Sequence, residues 1–135
     1  MWAFLSRNRD AGLLVLRLGL GGFFLWAHGW PKLAGGVEKW KALGGAMSNI
    51  GIDFWPVVWG FLATLAETLG AFLVAIGLFF KPACLALALT MVIAAITEAS
   101  GKGASLRSAS HAIELGVVFF SLIFIGAGKY SVDKD

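Results

Sequence analysis

Seven ionisable side chains stand inside or at the ends of apolar runs: Arg17, His28, Lys32, Glu67, Glu98, His111 and Glu114. Their types suit proton transfer and hydrogen bonding to a polar ligand. Glu67 and Glu114 can accept protons or hydrogen bonds, His28 and His111 can donate to a ligand oxygen, and Arg17 offers a counter-charge. The two glutamates are therefore the candidates for catalysis, and all seven are candidates for lining a ligand pocket. A charge at mid-bilayer costs about 2.5 to 3.5 kcal/mol on insertion scales, so such groups face a bundle interior and find partners.

Spacing sorts these residues onto helical faces. Arg17, Gly21, Phe24, His28 and Lys32 follow one another at intervals of four, three, four and four residues, which is a single face. The stretch GFFLWAHGWPKLAGG is the top of that stripe. Gly60, Thr64, Glu67, Gly70, Ala71 and Val74 form a second face, small around the carboxylate and suited to close packing. Thr90, Ala94, Thr97 and Glu98 form a third. Ser110, His111, Glu114, Ser121 and Gly128 form a fourth, with His111 and Glu114 three residues apart and able to touch. Every helix is thus expected to turn a polar edge inward.

Depth along the helices separates two groups. Arg17 lies about 9 Å into the first apolar run and Glu67 about 16 Å into the second, at 1.5 Å per residue. A long guanidinium spans that gap, so a buried Arg17–Glu67 ion pair that sets helix register is expected. His28, Lys32, Glu98, His111 and Glu114 fall in the half opposite the termini, where they are expected to line one polar pocket. A plainer role is also open to them: His28 and Lys32 can snorkel toward the interface, and His111 with Glu114 can form a hydrogen-bonded patch at a helix mouth. Two histidines at one depth could in principle hold a haem or a metal. No further ligand motif accompanies them, so neither is expected. The single cysteine, Cys84, excludes an intramolecular disulfide or a CxxC pair and has apolar neighbours, so it reads as inert.

The elements that must position these groups follow from composition. Of 135 residues, 59% are hydrophobic and 14% charged, and the mean hydropathy is +0.82. These values belong to a membrane protein, whose length holds a few spans of about 20 residues in a single domain. Apolar runs predict spans over about 12–30, 56–80, 83–97 and 111–127. Pro31 is expected to end the first, and the third is short at roughly 15 residues, about 22 Å. The fold class is all-α: a membrane-embedded four-helix bundle with both termini on the same side and a long connection, 31–55, between helices 1 and 2. Trp40, Leu43, Met47 and Ile50 predict a short interfacial helix there, broken at Gly44 and Gly45. Trp26, Trp30, Trp55 and Trp59 flank the connection as an aromatic belt.

Charge narrows the partners. The formal net charge of +3 is spread thinly over loops, with no basic run to track a phosphate backbone, so lipid headgroups and not nucleic acid are the expected partner. The expected terminal side carries Arg7, Arg9, Lys81, Lys129 and Lys134, and the other side Lys32, Lys39, Lys41, Lys102 and Arg107. That balance leaves only the basic flank of the first helix to favour cytoplasmic termini. Arg17 interrupts the first apolar run and no small-residue cleavage site closes it, so a retained span and not a signal peptide is expected.

Together the pieces resemble the DoxX/DoxD family of small four-helix integral membrane proteins. The resemblance rests on R-L-x-L-G with Arg17 and Gly19, H-G-x-x-K-L with His28, Gly29, Lys32 and Leu33, E-x-x-G with Glu67 and Gly70, and G-x-G-[KR]-Y-S over Gly126 to Ser131. It implies a bacterial or archaeal membrane protein, expected here in a bacterial inner membrane and often tied to redox chemistry, since the family takes its name from subunits of a thiosulfate:quinone oxidoreductase and other members associate with oxidative-stress or thiol-related complexes. The expected function is a small subunit or accessory of a quinone-linked, sulfur- or thiol-related membrane complex, with other redox subunits as partners and a quinone as the ligand to consider. No soluble catalytic domain is added, which favours an accessory over an independent enzyme. A non-catalytic scaffold is the alternative. A small-solute carrier ranks last, because four short spans make a narrow bundle.

Overall fold

A computed structural model describes residues 2–100 and 105–133. Lys102 and Lys134, counted in the charge balance, lie outside the described residues. The described residues are mostly helical, with no strand among them. A short helix α1, Trp2–Ser6, precedes α2, Arg9–Ala34, which contains a π turn at Leu25–Gly29. Then come α3, Gly36–Gly44, with a 3₁₀ extension Gly45–Ile50, and α4, Pro56–Ile76, with a second π turn at Ala66–Gly70. Helices α5, Phe80–Ser100, and α6, Ser110–Ile125, complete the order.

Pro31 does not end the first span. A proline ring clashes with the carbonyl four residues back, and its nitrogen leaves a bond unmade. The π turn just before it widens the helix, so that the Trp30 amide donates to the Leu25 carbonyl five residues earlier, and the helix runs on to Ala34.

Two other boundaries shift for local reasons. Helix α4 stops at Ile76 and not at Phe80, because Gly77 takes φ +74° and the Gly77 and Leu78 amides return to the Leu73 and Val74 carbonyls. Lys81 and Pro82 therefore lie in the first turn of α5, where a missing amide leaves no bond unmade. Helix α5 consequently has 21 residues, about 30 Å, and is not the short span of roughly 15 residues that its apolar run predicts. The 31–55 connection is folded as well. Gly44 and Gly45 do not break it: the α-helix tightens to 3₁₀ at Gly45 and ends at Gly51, φ +86°.

Helix α2 packs on the second half of α4, α3 on its first half, and α5 on α6 and on the α4 π turn. Glycines set the closest approaches. A Cβ on Gly44 would run into the Pro56 carbonyl, one on Gly60 into the Trp40 carbonyl, and one on Gly21 into the Ala71 carbonyl. The core between these helices holds Phe24, Val74, Leu87, Phe119 and Leu122. Outside it, Val15, Phe23, Val117 and Phe124 point away from the chain. Helices α2, α4 and α5 are each long and apolar enough to cross a bilayer, and α6 is apolar but shorter. A core this lean beneath so apolar a surface identifies a membrane protein.

Candidate functional site

The two π turns meet. Gly29, at the end of the α2 turn, lies against the carbonyl of Glu67 and the methyl of Thr68 in the α4 turn, a fit that any side chain on Gly29 would prevent. The wider turn shifts the residues after it around the helix axis, and Lys32 faces α4 one turn later. There the Lys32 ammonium donates to Glu67 Oε2, an ion pair in which the glutamate side chain is 3% exposed and that of the lysine 23%. The expected partner was Arg17; the partner found is Lys32. Trp40 pins this arrangement by donating its Nε1–H to the Lys32 carbonyl at 3.0 Å. Thr64 and Thr68, beside Glu67, satisfy their hydroxyls on the Gly60 and Thr64 carbonyls of their own helix.

A cavity of about 640 Å³ opens beside the pair, between α3 with its 3₁₀ extension, the first half of α4 and the second half of α5. Lys32 and Glu67 form its inner wall and Thr90, Thr97 and Glu98 its α5 wall. Leu62, Leu89, Ile93 and Met47 make most of the rest apolar. Trp59 also lines it, and its Nε1–H is buried without a hydrogen-bond partner among the described residues. Asn49 of the 3₁₀ turn donates to the Thr97 hydroxyl at 3.2 Å, tying the two walls together. Sequence alone assigns Trp59 to the aromatic belt; only the fold of α3 over α4 gives it an inner surface.

Arg17 is 1% exposed, and carbonyl oxygens surround it. Its Nη1 donates to Ala127 at 2.7 Å and its Nη2 to Tyr130 at 2.6 Å, both in the segment that follows α6. The antiparallel register of α2 and α4 sets Arg17 beside Gly77, about three turns past Glu67. Around it the 126–133 segment is tied at several points. Asp10 accepts from the Lys129 amide, and the Val132 and Asp133 amides donate to Ile76 and Gly77. The Asp133 carboxylate caps the Phe79 and Phe80 amides at the start of α5. A cavity of about 590 Å³ lies alongside, but its carboxylates, Asp10 and Asp133, are the ones that hold this strap.

The histidines meet, with ring centroids 5.6 Å apart between α2 and α6. His28 also lies on Phe24 at 4.9 Å, and Phe24 meets Phe119 edge to face. Neither histidine lines the cavity of Lys32 and Glu67. The polar edge expected to face inward on α6 does not: Ala112, Phe119 and Leu122 are buried, whereas Ser110, His111, Glu114 and Ser121 are exposed. Larger apolar side chains won the core. The seven candidates are therefore divided, with Lys32, Glu67 and Glu98 at the cavity, His28 and His111 paired, Arg17 in the strap and Glu114 apart. Among the described residues no three His, Cys, Asp or Glu side chains converge as a metal site.

The family model described as DoxX matches residues 12–99, well over half of the chain. The chain belongs to the DoxX family. The matched stretch runs from α2 to the end of α5 and includes Arg17, His28, Lys32, Glu67 and Glu98; α6 and the Gly126–Ser131 motif of this DoxX chain lie beyond it. No curated protein and no solved structure matches it. In this DoxX protein Gly29 and Lys32 of H-G-x-x-K-L supply the close approach and the ion pair. In E-x-x-G, Glu67 is the carboxylate, while Gly70 leaves room for the Leu87 side chain. Gly19 of R-L-x-L-G meets nothing within 4 Å, and nothing in the structure explains it.

Proposed function

We propose that this DoxX protein is a small integral membrane subunit or accessory of a quinone-linked redox complex, and that its cavity receives the quinone head. The observation that supports it most is the Lys32–Glu67 pair set in the wall of an apolar space of about 640 Å³, a volume within the range of small-ligand sites. The donors fit a carbonyl-bearing ring: the Lys32 ammonium keeps hydrogens beyond the one given to Glu67, and the Trp59 Nε1–H has no other acceptor among the described residues. Glu67 orients the lysine and is the group able to hold a proton beside it, while Leu62, Leu89 and Ile93 exclude water. A bound quinone would supply two-electron redox chemistry. Sulfur chemistry falls to a partner subunit, because Cys84 is buried among core side chains.

The same reading places α2, α4, α5 and α6 as four spans of a bacterial inner membrane, with both termini on its cytoplasmic side. The Lys129–Asp10 hydrogen bond supports a shared side, since it joins the segment after α6 to the start of α2. Reporter fusions at the two termini should give the same cytoplasmic signal; opposite signals would refute the shared side.

The site itself is tested by titrating the purified protein with a short-chain ubiquinone and following tryptophan quenching. Saturable quenching is expected, weakened at least tenfold in Lys32→Ala and Glu67→Gln. No saturation in the wild type, or equal binding by both variants, sinks the quinone reading. A second reading, a non-catalytic scaffold of a larger complex, draws support from Arg17, whose two terminal nitrogens are both spent on backbone carbonyls. It predicts that charge substitutions lower the yield of folded protein while the surviving protein functions normally.

A further inference from the structure

Helices α4 and α5 are joined by the turn at Gly77 and lie against each other along the second half of α4 and its π turn. Beyond the π turn they part, and the first half of α4 packs on α3 instead. The residues between them are small. Ala63 and Ala66 on α4 and Ala86 and Ala94 on α5 suit a close helix contact, yet they line the space of about 640 Å³ beside the Lys32–Glu67 pair. At the α3 end the gap is tied shut, where Asn49 donates to the Thr97 hydroxyl. Its outward edge is different: Leu62, Leu89 and Val92 line the same space and are 49%, 58% and 52% exposed. Leu89 and Val92 are about 14 and 18 Å from the Phe80 end of α5 at 1.5 Å per residue, in the middle of a helix long and apolar enough to cross a bilayer whose hydrocarbon core is about 30 Å thick. A cavity whose wall is half exposed at that height opens sideways, toward lipid chains and not toward water.

We propose that this cleft is a side entrance from the bilayer and that its ligand carries an aliphatic tail, which lies against Leu62, Leu89 and Val92 while the polar head meets Lys32 and Glu67. The chemistry of the walls carries the assignment. A charged pair stands at one end of an otherwise apolar trough, so a molecule complementary to the whole of it is polar at one end and hydrocarbon along the rest. A head without a tail leaves the alkyl walls against a void, where their dispersion contacts are lost. A lipid chain without a head leaves the Trp59 Nε1–H with no acceptor among the described residues and Lys32 donating to Glu67 alone. One head-and-tail molecule satisfies both walls, and its entry from the side leaves the Asn49–Thr97 bond unbroken. That the head is a quinone rests on the reading above; the side entrance and the tail do not.

The test uses the full chain in nanodiscs with three photoreactive probes that share one long alkyl chain ending in a diazirine: a dimethoxy-methyl-benzoquinone, a fatty acid and a headless alkane. The quinone probe should attach at Leu62, Leu89 or Val92, and its yield there should fall roughly tenfold in Lys32→Ala, which loses the charged hydrogen bond to the head. The alkane should spread over exposed apolar residues elsewhere, such as Val15 and Phe124. Because Lys32→Ala strips a buried carboxylate of its partner, Leu62→Trp is the second variant; at its exposed position it should fold, narrow the entrance and lower labelling by the tailed quinone, while equilibrium dialysis of the tailless ring stays at the wild-type level. Labelling by both headed probes that spreads like the alkane's, cleft labelling that Lys32→Ala leaves unchanged, or a Leu62→Trp chain that loses tailed and tailless rings alike would each overturn the side entrance, even where the ring binds. If the fatty acid concentrates in the cleft in a Lys32-dependent way and the quinone does not, the side entrance stands and the quinone reading falls.

Discussion

Lys32 and Glu67 show how a pair behaves when one partner is buried and the other reaches it from a half-exposed position. Removing the lysine leaves a carboxylate with neither water nor counter-charge, a change that costs about 3 to 5 kcal/mol for buried pairs. Lys32→Met should therefore unfold at clearly lower temperature in detergent, and adding Glu67→Gln to it should restore most of the loss. A single variant that melts like the wild type would show that Glu67 is not sealed from water. Arg17 is a different case, since its planar fork meets carbonyls from two residues of the strap. A lysine carries one compact charge and cannot span both acceptors. Arg17→Lys should lose about 2 kcal/mol, the worth of one hydrogen bond to a charged group, and its C-terminal segment should become sensitive to protease. Spacing along the chain brought Arg17 to the right face, yet its acceptors were illegible, because backbone carbonyls leave no mark in a sequence.

At the scale of elements, the site exists because two helices widen at facing positions. The α2 turn carries the helix past Pro31 and brings Lys32 around, and the α4 turn holds Glu67 where Gly29 permits contact. Gly29→Ala would drive a methyl into the Glu67 carbonyl, and overpacking of that kind costs about 1 to 3 kcal/mol. Gly22 lies on the same helix, and a methyl added there would meet nothing within 4 Å, so Gly22→Ala should be neutral or gain up to about 1 kcal/mol from helix propensity. Thermal melts of the two variants side by side decide this, and equal shifts would deny the close approach. The helical faces of α2 and α4 were legible in large part: packing buries Arg17, Gly21 and Phe24 of the first and Gly60, Thr64, Glu67, Gly70, Ala71 and Val74 of the second, while His28 and Lys32 stay partly exposed and Gly29 and Thr68, outside the expected faces, are buried. The α6 face was not, because polarity alone does not say whether a bilayer helix turns toward its own chain or away from it.

Across the whole molecule, the strap from Gly126 to Asp133 ties α2, α4 and α5 together at one end, and the cavity with its ion pair occupies the other half. Deleting residues 126–135 should leave Arg17 buried without its two closest acceptors and α5 without its cap, with a large fall in folded yield. Adding Arg17→Met to the deletion should recover part of that yield, because an apolar residue needs no acceptor; no recovery would mean that the strap stabilises chiefly by packing. The sequence by itself determined that this is an all-α membrane protein of the DoxX family and which faces of α2 and α4 turn inward, because hydropathy, helical period and short motifs are local properties of the chain. Tertiary structure alone decided that Glu67 pairs with Lys32 and not Arg17, that the histidines stand apart from the cavity, and that the polar edge of α6 faces out. Those outcomes depend on helix register, two π turns and backbone acceptors, none of which is written in the type or spacing of side chains.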